Sequence, residues 1–340
     1  MSARSGKESG PACQLSRLTR RDPSKPKTIQ RNKSKEMKPA CEFLIKDEKV
    51  YSGALSCRGC AWSLLVRHLS SILGENTVYV VPACCFSIIS GPYPLNELKG
   101  SIVHTLFAAA SATATGVRAA LDRQGREDAN VVVLAGDGGT FDIGLQALSG
   151  AAARNENLLY IVNNNGAYMN TGIQTSTATP YGAVTTTNPN SGFKRSWPKD
   201  LMGIVAAHHL PYAATCSLAY LEDMRRKIQK AKDTEGFRLL MFDGPCPPGH
   251  KTDPALSITV GRLAVETKLF PLYELERQRY TINHCPEKER PVADCLRLQG
   301  RFKHLFKPEN ASILDEIQAH TDWYWQQLLA KQAAPSMAMP

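Results

Sequence analysis

The sequence predicts an α/β fold built on a doubly wound, mostly parallel sheet. Two short apolar runs, 131–135 and 158–162, are rich in β-branched residues, which is typical of strands buried on both faces. The segment between them has helical spacing from Ile143 to Arg154, with Ile143 expected on the inner face. Strand, helix and strand in this order form the unit from which open parallel sheets are built.

The same reasoning predicts further elements on both sides of this unit. An amphipathic helix is expected over 61–73 and a strand over 77–82, and the Ala-, Ser- and Thr-rich segment 102–121 is expected to be a long helix. Residues 172–190 lack periodicity and predict a long ordered loop or lid. Strands are expected at 211–214 and 239–242 around a helix at 218–231, and a C-terminal helical extension is expected with helices at 256–267, 296–306 and 313–331.

Composition narrows the possible classes of protein. The 340 residues are 43% hydrophobic, which suffices for one large or two small α/β domains. No stretch approaches the roughly 20 apolar residues of a membrane span. Of the formal charge of +10, residues 1–40 contribute +8, since they hold 11 Lys and Arg and 3 acids. The rest of the chain is nearly neutral, so no nucleic-acid or membrane partner is expected.

Charge and the predicted elements divide the chain into three segments. Residues 1–36 are predicted to be a disordered basic tail, either a docking or targeting arm or an upstream stretch outside the functional unit. Residues 37–255 form the α/β domain, and residues 256–340 form an extension that packs on it or on partner subunits. No hydrophobic signal segment precedes the ten cysteines, so a cytoplasmic location is expected, where paired cysteines indicate metal or redox chemistry.

Polar residues follow both strands of the first unit. Gly136-Asp137-Gly138-Gly139 ends the first strand, and Asn163-Asn164-Asn165 ends the second. Ligands of open α/β sheets bind beyond the carboxyl ends of the strands, where a helix N-terminus offers N–H groups to a diphosphate. Magnesium prefers hard oxygen ligands, which Asp137, an asparagine amide and a following backbone carbonyl would supply. The sequence therefore predicts a magnesium-diphosphate site.

The cysteines predict a second site at the same edge of the sheet. Cys57 and Cys60 form a CxxC pair, Cys84 and Cys85 follow the strand at 77–82, and Cys246 follows the strand at 239–242. Four thiolates suit a 4Fe–4S cluster or a four-cysteine zinc site, whereas CxxC alone also suits a redox pair. The residue types leave these alternatives open.

The residues around the glycine turn resemble a known family. GDG followed one βα unit later by NN resembles the thiamine diphosphate motif, and the string GDGGTFDIGLQALSGAAARNENLLYIVNNNGAYMNTGIQTSTATPYGAVTTT is similar to the β subunit of the pyruvate:ferredoxin oxidoreductase family. The segments DPALSITVGRLAVETKLFPLYELE and LQGRFKHL extend the resemblance over 37–330. It implies a thiamine diphosphate-binding fold and CoA-dependent oxidative decarboxylation of pyruvate to acetyl-CoA and CO2, with electrons passed through a 4Fe–4S cluster to ferredoxin.

The resemblance also implies roles for individual residues. Magnesium would be held by the side chains of Asp137 and Asn165 and by the carbonyl of Ala167, and Asn170 and Thr171 would face the thiazolium ring and the reacting carbon. The glycines that would shape the diphosphate turn are Gly136, Gly138 and Gly139. The cluster ligands would be Cys57, Cys60, Cys85 and Cys246, with Cys84 as the alternative to Cys85.

The chain departs from the family pattern in three places. Family members usually read DNEAYMNTG, where this chain has Asn164 and Gly166 in place of the two acids. The amide ligand is kept, so magnesium binding should survive with less negative charge near the cofactor. Ala61 follows the CxxC pair in place of the usual glycine, and this change removes no ligand.

Part of a thiamine enzyme is missing from the sequence. Such enzymes need an activating glutamate on a pyrimidine-binding domain, and the resemblance implies that a partner α subunit carries it. Ferredoxin-like γ and δ subunits or fused equivalents, a ferredoxin or flavodoxin acceptor and CoA as co-substrate are implied in the same way. Three alternative interpretations remain. They are a branched-chain enzyme acting on 2-ketoisovalerate, a non-oxidative thiamine decarboxylase or synthase, and a non-catalytic subunit stabilised by a structural zinc ion.

Overall fold

A single eight-stranded sheet forms the centre of the computed structural model, which describes residues 45, 48–188 and 192–334. The strands are Thr77–Pro82 (β1), Ser101–Thr105 (β2), Asn130–Gly136 (β3), Leu158–Asn164 (β4), Tyr212–Ser217 (β5), Phe237–Asp243 (β6), Tyr273–Glu276 (β7) and Arg279–Ile282 (β8). The α-helices are Ala61–Leu73 (α1), Cys85–Ile89 (α2), Ala110–Arg123 (α3), Leu145–Ala153 (α4), Leu201–Ala206 (α5), Leu221–Asp233 (α6), Pro247–His250 (α7), Ser257–Glu266 (α8), Val292–Leu296 (α9) and Ala311–Ala333 (α10). The predicted basic tail, 1–36, lies outside the described residues.

The sheet is mostly parallel, as predicted. Its strand order is β2-β1-β3-β4-β6-β5-β7-β8, and every pairing from β2 to β5 is parallel. Gly136 pairs with Asn163, and Asn164 pairs with Asp243, so β3, β4 and β6 end side by side. The loops that follow these strands therefore meet at one edge, where open α/β sheets bind their ligands.

Helices cover both faces of the sheet. Along β3, Val132 and Leu134 pack with α1 and α6 on one face, whereas Val131 and Val133 pack with α3, α4 and α10 on the other. Successive side chains of a strand point to opposite faces, so a continuous apolar run fills two cores at once. The doubly wound α/β class predicted from these runs is confirmed.

The helix predicted over 102–121 is wrong in its first third. Residues 101–105 form the edge strand β2, paired in parallel with β1, and the helix begins only at Ala110. The sequence SIVHT carries β-branched residues, which suit a pleated strand, and the small residues that suggested a helix begin beyond it.

The C-terminal extension contains helices, as predicted, but also two strands. β7 pairs antiparallel with β5, and β8 pairs antiparallel with β7, so residues after 256 enlarge the sheet. The helix expected over 296–306 is instead α9 followed by a 3₁₀ turn over 300–306. None of the helices in the described ranges is long and apolar enough to cross a membrane.

Ile143 was expected on the inner face of a helix, and this expectation is wrong. Its side chain is 51% exposed, because residues 138–142 form a π-helical turn and α4 begins only at Leu145. The wider turn shifts the face that Ile143 presents, whereas Leu148, Ala151 and Ala152 remain buried as predicted.

A buried carboxyl group makes stability depend on pH. Glu97 is 5% exposed, its Oε2 accepts no hydrogen bond from the described residues, and burial raises its pKa from 4.5 to about 7. An acid whose pKa is raised on folding destabilises the protein as pH rises from about 4.5 towards 7. Replacing Glu97 with glutamine should therefore stabilise the protein by about 1–3 kcal/mol at pH 8 and have little effect at pH 5. Thermal unfolding of both proteins at the two pH values measures this, and an equal change at both would contradict it.

Candidate active site

Three oxygen-bearing groups converge beyond the ends of β3 and β4. One side-chain amide atom of Asn165 lies 2.8 Å from Asp137 Oδ1 and 3.0 Å from the carbonyl oxygen of Ala167. An amide nitrogen in this place donates hydrogen bonds to both oxygens, whereas an amide oxygen there completes a set of three hard oxygens. Mg²⁺ prefers such a set, so these residues fit the ion.

The carboxylate of Asp137 is buried away from solvent. Its side chain is 1% exposed, and its Oδ2 accepts a hydrogen bond from Ser176 Oγ at 2.6 Å. Burial raises the pKa of Asp137 to about 7, and the hydrogen bond from Ser176 offsets only part of this shift. A divalent cation beside it would stabilise the ionised form.

The glycine turn is packed tightly around this carboxylate. Gly136 ends β3, and Gly138 and Gly139 begin the π-helical turn and are fully buried. A Cβ atom on Gly138 would collide with the ring of Tyr168, so the close approach of the ring requires glycine. The turn therefore places the loop after β4 directly against the loop after β3.

Asp142 fastens the following loop to the turn. Its carboxylate accepts hydrogen bonds from Tyr168 Oη at 2.8 Å and from the backbone N–H of Thr177 at 3.2 Å, with a further short one from the Thr177 hydroxyl. These bonds lower the pKa of Asp142 although burial opposes the shift. The carboxylate is therefore a structural anchor beside the site.

A buried lysine holds residues 176–179 of the predicted loop at 172–190. Lys194 is 8% exposed, and its Nζ donates to the carbonyl oxygens of Ser176, Thr177 and Thr179 at 3.2, 3.2 and 2.6 Å. The ammonium thus fixes the backbone that carries Ser176, the residue that donates to Asp137.

Replacing Lys194 with methionine should weaken magnesium-dependent thiamine diphosphate binding by about 10–100-fold, the usual effect of losing a residue that orients a metal ligand. The unfolding temperature should fall as well, because three buried carbonyl groups lose their donor. Calorimetry of binding and thermal unfolding measure both effects. Lys303→Met makes the same chemical change at an exposed position and should alter neither.

Asn170 and Thr171 lie in an exposed turn. The turn is closed by a hydrogen bond from the Gly172 N–H to the Met169 carbonyl at 3.2 Å, and Thr171 Oγ1 donates to Gln174 Oε1 at 2.7 Å. Their side chains are therefore held at the surface of this chain, shortly after Asn165 and Ala167.

Two of the four cysteines expected to bind a cluster follow strands of the sheet, Cys85 after β1 and Cys246 after β6. Burial raises the pKa of Cys85 to about 12, and negative charge on Cys84 and, to a smaller degree, on Cys246, Cys60 and Cys57 adds to the shift. Burial likewise raises the pKa of Cys60 to about 11, with charge on Cys246 and Cys57 adding to it. The thiols are near enough for each charge to act on the others.

The side chain of Cys84 points towards β3. Its Sγ donates to the carbonyl oxygen of Leu134 at 3.8 Å, and its Cβ lies 3.6 Å from the position of a Cβ on Gly136. Burial raises its pKa to about 11, and the charge of Asp137 contributes to the shift. Cys84 thus packs against β3 on the side of the glycine turn.

The donor chemistry of these cysteines fits a thiolate-bound cluster. Among the residues that the structure describes, no three His, Cys, Asp or Glu side chains stand close enough to hold a metal ion as they are placed. Cys57 is exposed, and Cys60, Cys85 and Cys246 are partly buried. Their side chains would have to turn towards a common centre to bind iron.

Two further residues, His250 and Arg301, contact the backbone of Asn165. Its backbone carbonyl oxygen accepts a hydrogen bond from His250 Nε2 at 2.8 Å and from Arg301 Nη1 at 3.3 Å. Burial lowers the pKa of both groups, that of His250 well below its ordinary value and that of Arg301 to about 10. Gly166 follows with φ of 75°, where a Cβ would lie 3.1 Å from Arg301, which accounts for glycine at this position.

A cavity of about 440 Å³ lies on the same side of the loop. β5, β6, α5, α8 and α10 supply its walls, and Asn165 and Gly166 form one end. The C-terminal extension therefore encloses the back of the magnesium-ligand loop as well as enlarging the sheet.

Four residues of this site were not identified from the sequence. Ser176, Lys194, His250 and Arg301 reach the site from loops or from the extension, and none carries a local spacing signal. Only the tertiary structure places them beside Asp137 and Asn165.

Comparison with known proteins identifies the domain and the family of this chain. The model of the thiamine pyrophosphate enzyme C-terminal TPP-binding domain matches residues 84–242. Pyruvate synthase subunit PorB of Methanothermobacter thermautotrophicus is 44% identical over 277 residues, which cover 81% of this chain and 96% of that protein. Ketoisovalerate oxidoreductase subunit VorB of Pyrococcus horikoshii is 42% identical over 295 residues, covering 83% and 93%.

A solved structure shares the fold. The 2-oxoglutarate:ferredoxin oxidoreductase from Magnetococcus marinus, with 2-oxoglutarate, coenzyme A and succinyl-CoA bound, superposes with a TM-score of 0.52 at 24% identity, over 64% of this chain and 80% of that one. The resemblance stated from the sequence is thereby confirmed. The chain belongs to the family of PorB and VorB subunits of 2-oxoacid:ferredoxin oxidoreductases, with a thiamine diphosphate-binding domain.

Proposed function

We propose that this chain is the β subunit of a 2-oxoacid:ferredoxin oxidoreductase that acts on pyruvate. The observation that carries the proposal is the convergence of Asp137, Asn165 and Ala167 beyond β3 and β4. In this reaction pyruvate loses CO2, its acyl group passes to the thiol of CoA, and two electrons leave for ferredoxin or flavodoxin. The reaction belongs in the cytoplasm, where reducing conditions keep thiols available to iron.

Thiamine diphosphate, when bound, supplies the nucleophilic carbon that adds to the 2-oxo group and permits decarboxylation. The residues of this chain bind and orient. Asp137 and Asn165, with the carbonyl of Ala167, hold Mg²⁺ against the diphosphate, and Ser176 fixes the carboxylate through its 2.6 Å hydrogen bond. The exposed turn with Asn170 and Thr171 lies where a partner would complete the pocket.

Cys57, Cys60, Cys85 and Cys246 would hold a 4Fe–4S cluster, which would supply an outlet for the electrons. The hydrogen bond of the Cys84 thiol to the carbonyl oxygen of Leu134 favours Cys85 as the third ligand. An iron–sulfur cluster takes electrons one at a time, so it separates the two-electron chemistry from the one-electron acceptor.

The subunit works only in a complex. An α subunit supplies the activating glutamate and covers the exposed turn, and ferredoxin-like γ and δ subunits or fused equivalents carry electrons onward. A branched-chain substrate, 2-ketoisovalerate, is the second candidate, because VorB relatives match this chain at 42–44% identity.

Substrate choice is tested on the complex purified with its neighbouring subunits. We expect CoA-dependent reduction of a redox dye, fastest with pyruvate in a panel that includes 2-ketoisovalerate and 2-oxoglutarate. Faster reduction with 2-ketoisovalerate would support the second candidate. Zinc in place of iron, with no thiamine bound, would instead identify a non-catalytic subunit.

A further inference from the structure

His250 lies between the two proposed cofactor sites and contacts both. It is the fourth residue after Cys246 and the last of α7, and its side chain is 4% exposed. On one side its Nε2 lies 2.8 Å from the backbone oxygen of Asn165. On the other its Nδ1 lies 3.5 Å from the backbone nitrogen of Cys246.

These two contacts fix the state of the ring. A carbonyl oxygen only accepts, so Nε2 carries the proton and donates, and a backbone N–H only donates, so Nδ1 accepts. A neutral imidazole has one donor and one acceptor, and both are used. No other protonation state satisfies both neighbours.

A second contact joins the same two loops. A Cβ on Gly249 would collide with the thioether of Met169 and would lie 3.4 Å from Cys246 Sγ, so the turn after Cys246 packs against the loop after Asn165. The two loops are thus in direct contact, and His250 supplies the polar link between them.

We propose that His250 is a positioning residue that couples the magnesium-ligand loop to the cluster-ligand loop, with Nε2 holding Asn165 and Nδ1 holding Cys246. The proposal rests on the proposed function, since it assigns both sites to this chain. The ring fixes where the thiamine site and the cluster stand relative to each other. It also occupies the Cys246 N–H, which is then withheld from the sulfur atoms.

Two conservative substitutions separate the two contacts. His250→Asn places an amide oxygen near the position of Nδ1, so it keeps the acceptor for Cys246 and loses the donor to Asn165. His250→Gln places an amide nitrogen near the position of Nε2, so it keeps the donor and loses the acceptor. His250→Leu loses both.

Binding and redox measurements on the assembled complex provide the test. We expect His250→Asn to raise the dissociation constant of Mg²⁺–thiamine diphosphate about 10–100-fold and leave the cluster midpoint potential unchanged. His250→Gln should keep near-native affinity and shift the potential to more positive values, because the freed Cys246 N–H stabilises the added electron. His250→Leu should show both effects, and His208→Asn, whose ring contacts Ser149 Oγ at 3.1 Å, should show neither.

The outcomes are distinguishable. If the wild-type complex holds no thiamine diphosphate or no iron, the proposed function fails. If the wild type holds both and His250→Leu changes neither affinity nor potential, the coupling role is overturned while the function stands. The same pattern in the Asn and Gln variants would also overturn it, because a merely structural residue would not separate the two readouts.

Discussion

Asp137→Asn should abolish the activity of the complex by removing its magnesium. Losing a residue that only orients a ligand costs about 10–100-fold in metal affinity, so losing the single charged ligand should cost more than about 100-fold. The substitution keeps the shape of the side chain, and Asn165 and Ala167 remain in place. Calorimetric titration of the cofactor-free complex with Mg²⁺ and thiamine diphosphate measures the effect.

Asp128→Asn provides the matched control. Asp128 is exposed and accepts a 2.7 Å hydrogen bond from Asn76, far along the strands from the glycine turn. It undergoes the same chemical change and should keep native affinity and turnover. Native cofactor affinity in Asp137→Asn would contradict the assignment of the magnesium site.

Cys85→Ser should lose the cluster, whereas Cys84→Ser should keep it. The Cys84 thiol donates to the carbonyl oxygen of Leu134 beside the glycine turn, which leaves Cys85 as the proposed ligand. We expect about four fewer iron atoms per chain in Cys85→Ser, with loss of dye reduction and retention of thiamine diphosphate. Iron and sulfide analysis of the two purified complexes gives the answer.

Each of the two variants is the matched control for the other. Both replace one sulfur atom with oxygen, and the two positions are adjacent. Loss of iron in Cys84→Ser with full iron in Cys85→Ser would reverse the ligand assignment. Full iron in both variants would remove this pair from the cluster altogether.

The strand ends were predictable because their signals are local. β-branched runs locate β3 and β4, and the residues that follow a strand in a parallel sheet must lie at its carboxyl edge, so Asp137 and Asn165 could be placed together from sequence. Ser101–Thr105 was assigned to a helix because a helix does follow it, and a five-residue edge strand leaves little periodicity to distinguish.

The residues that support the ligands were not predictable. Ser176 reaches Asp137 only through a loop conformation fixed by Lys194, and Arg301 reaches Asn165 from beyond the added hairpin. A hydroxyl in a Thr-rich loop or an arginine in a C-terminal segment has no distinctive sequence neighbourhood. In the π-helical turn before Ile143, the ring of Tyr168 packs on Gly138, a contact between distant residues that local sequence does not reveal.

The most direct test of the account is whether a 2-oxo acid reduces the iron–sulfur centre proposed for this chain. Pyruvate and CoA are added without oxygen to the purified complex in the absence of any external acceptor, and the visible absorbance and CO2 release are followed together. We predict that CO2 release is accompanied by bleaching in the wild type, and that Cys85→Ser lacks the part of the bleaching due to this cluster. CO2 release with no bleaching, or with the same bleaching in Cys85→Ser, would contradict the account.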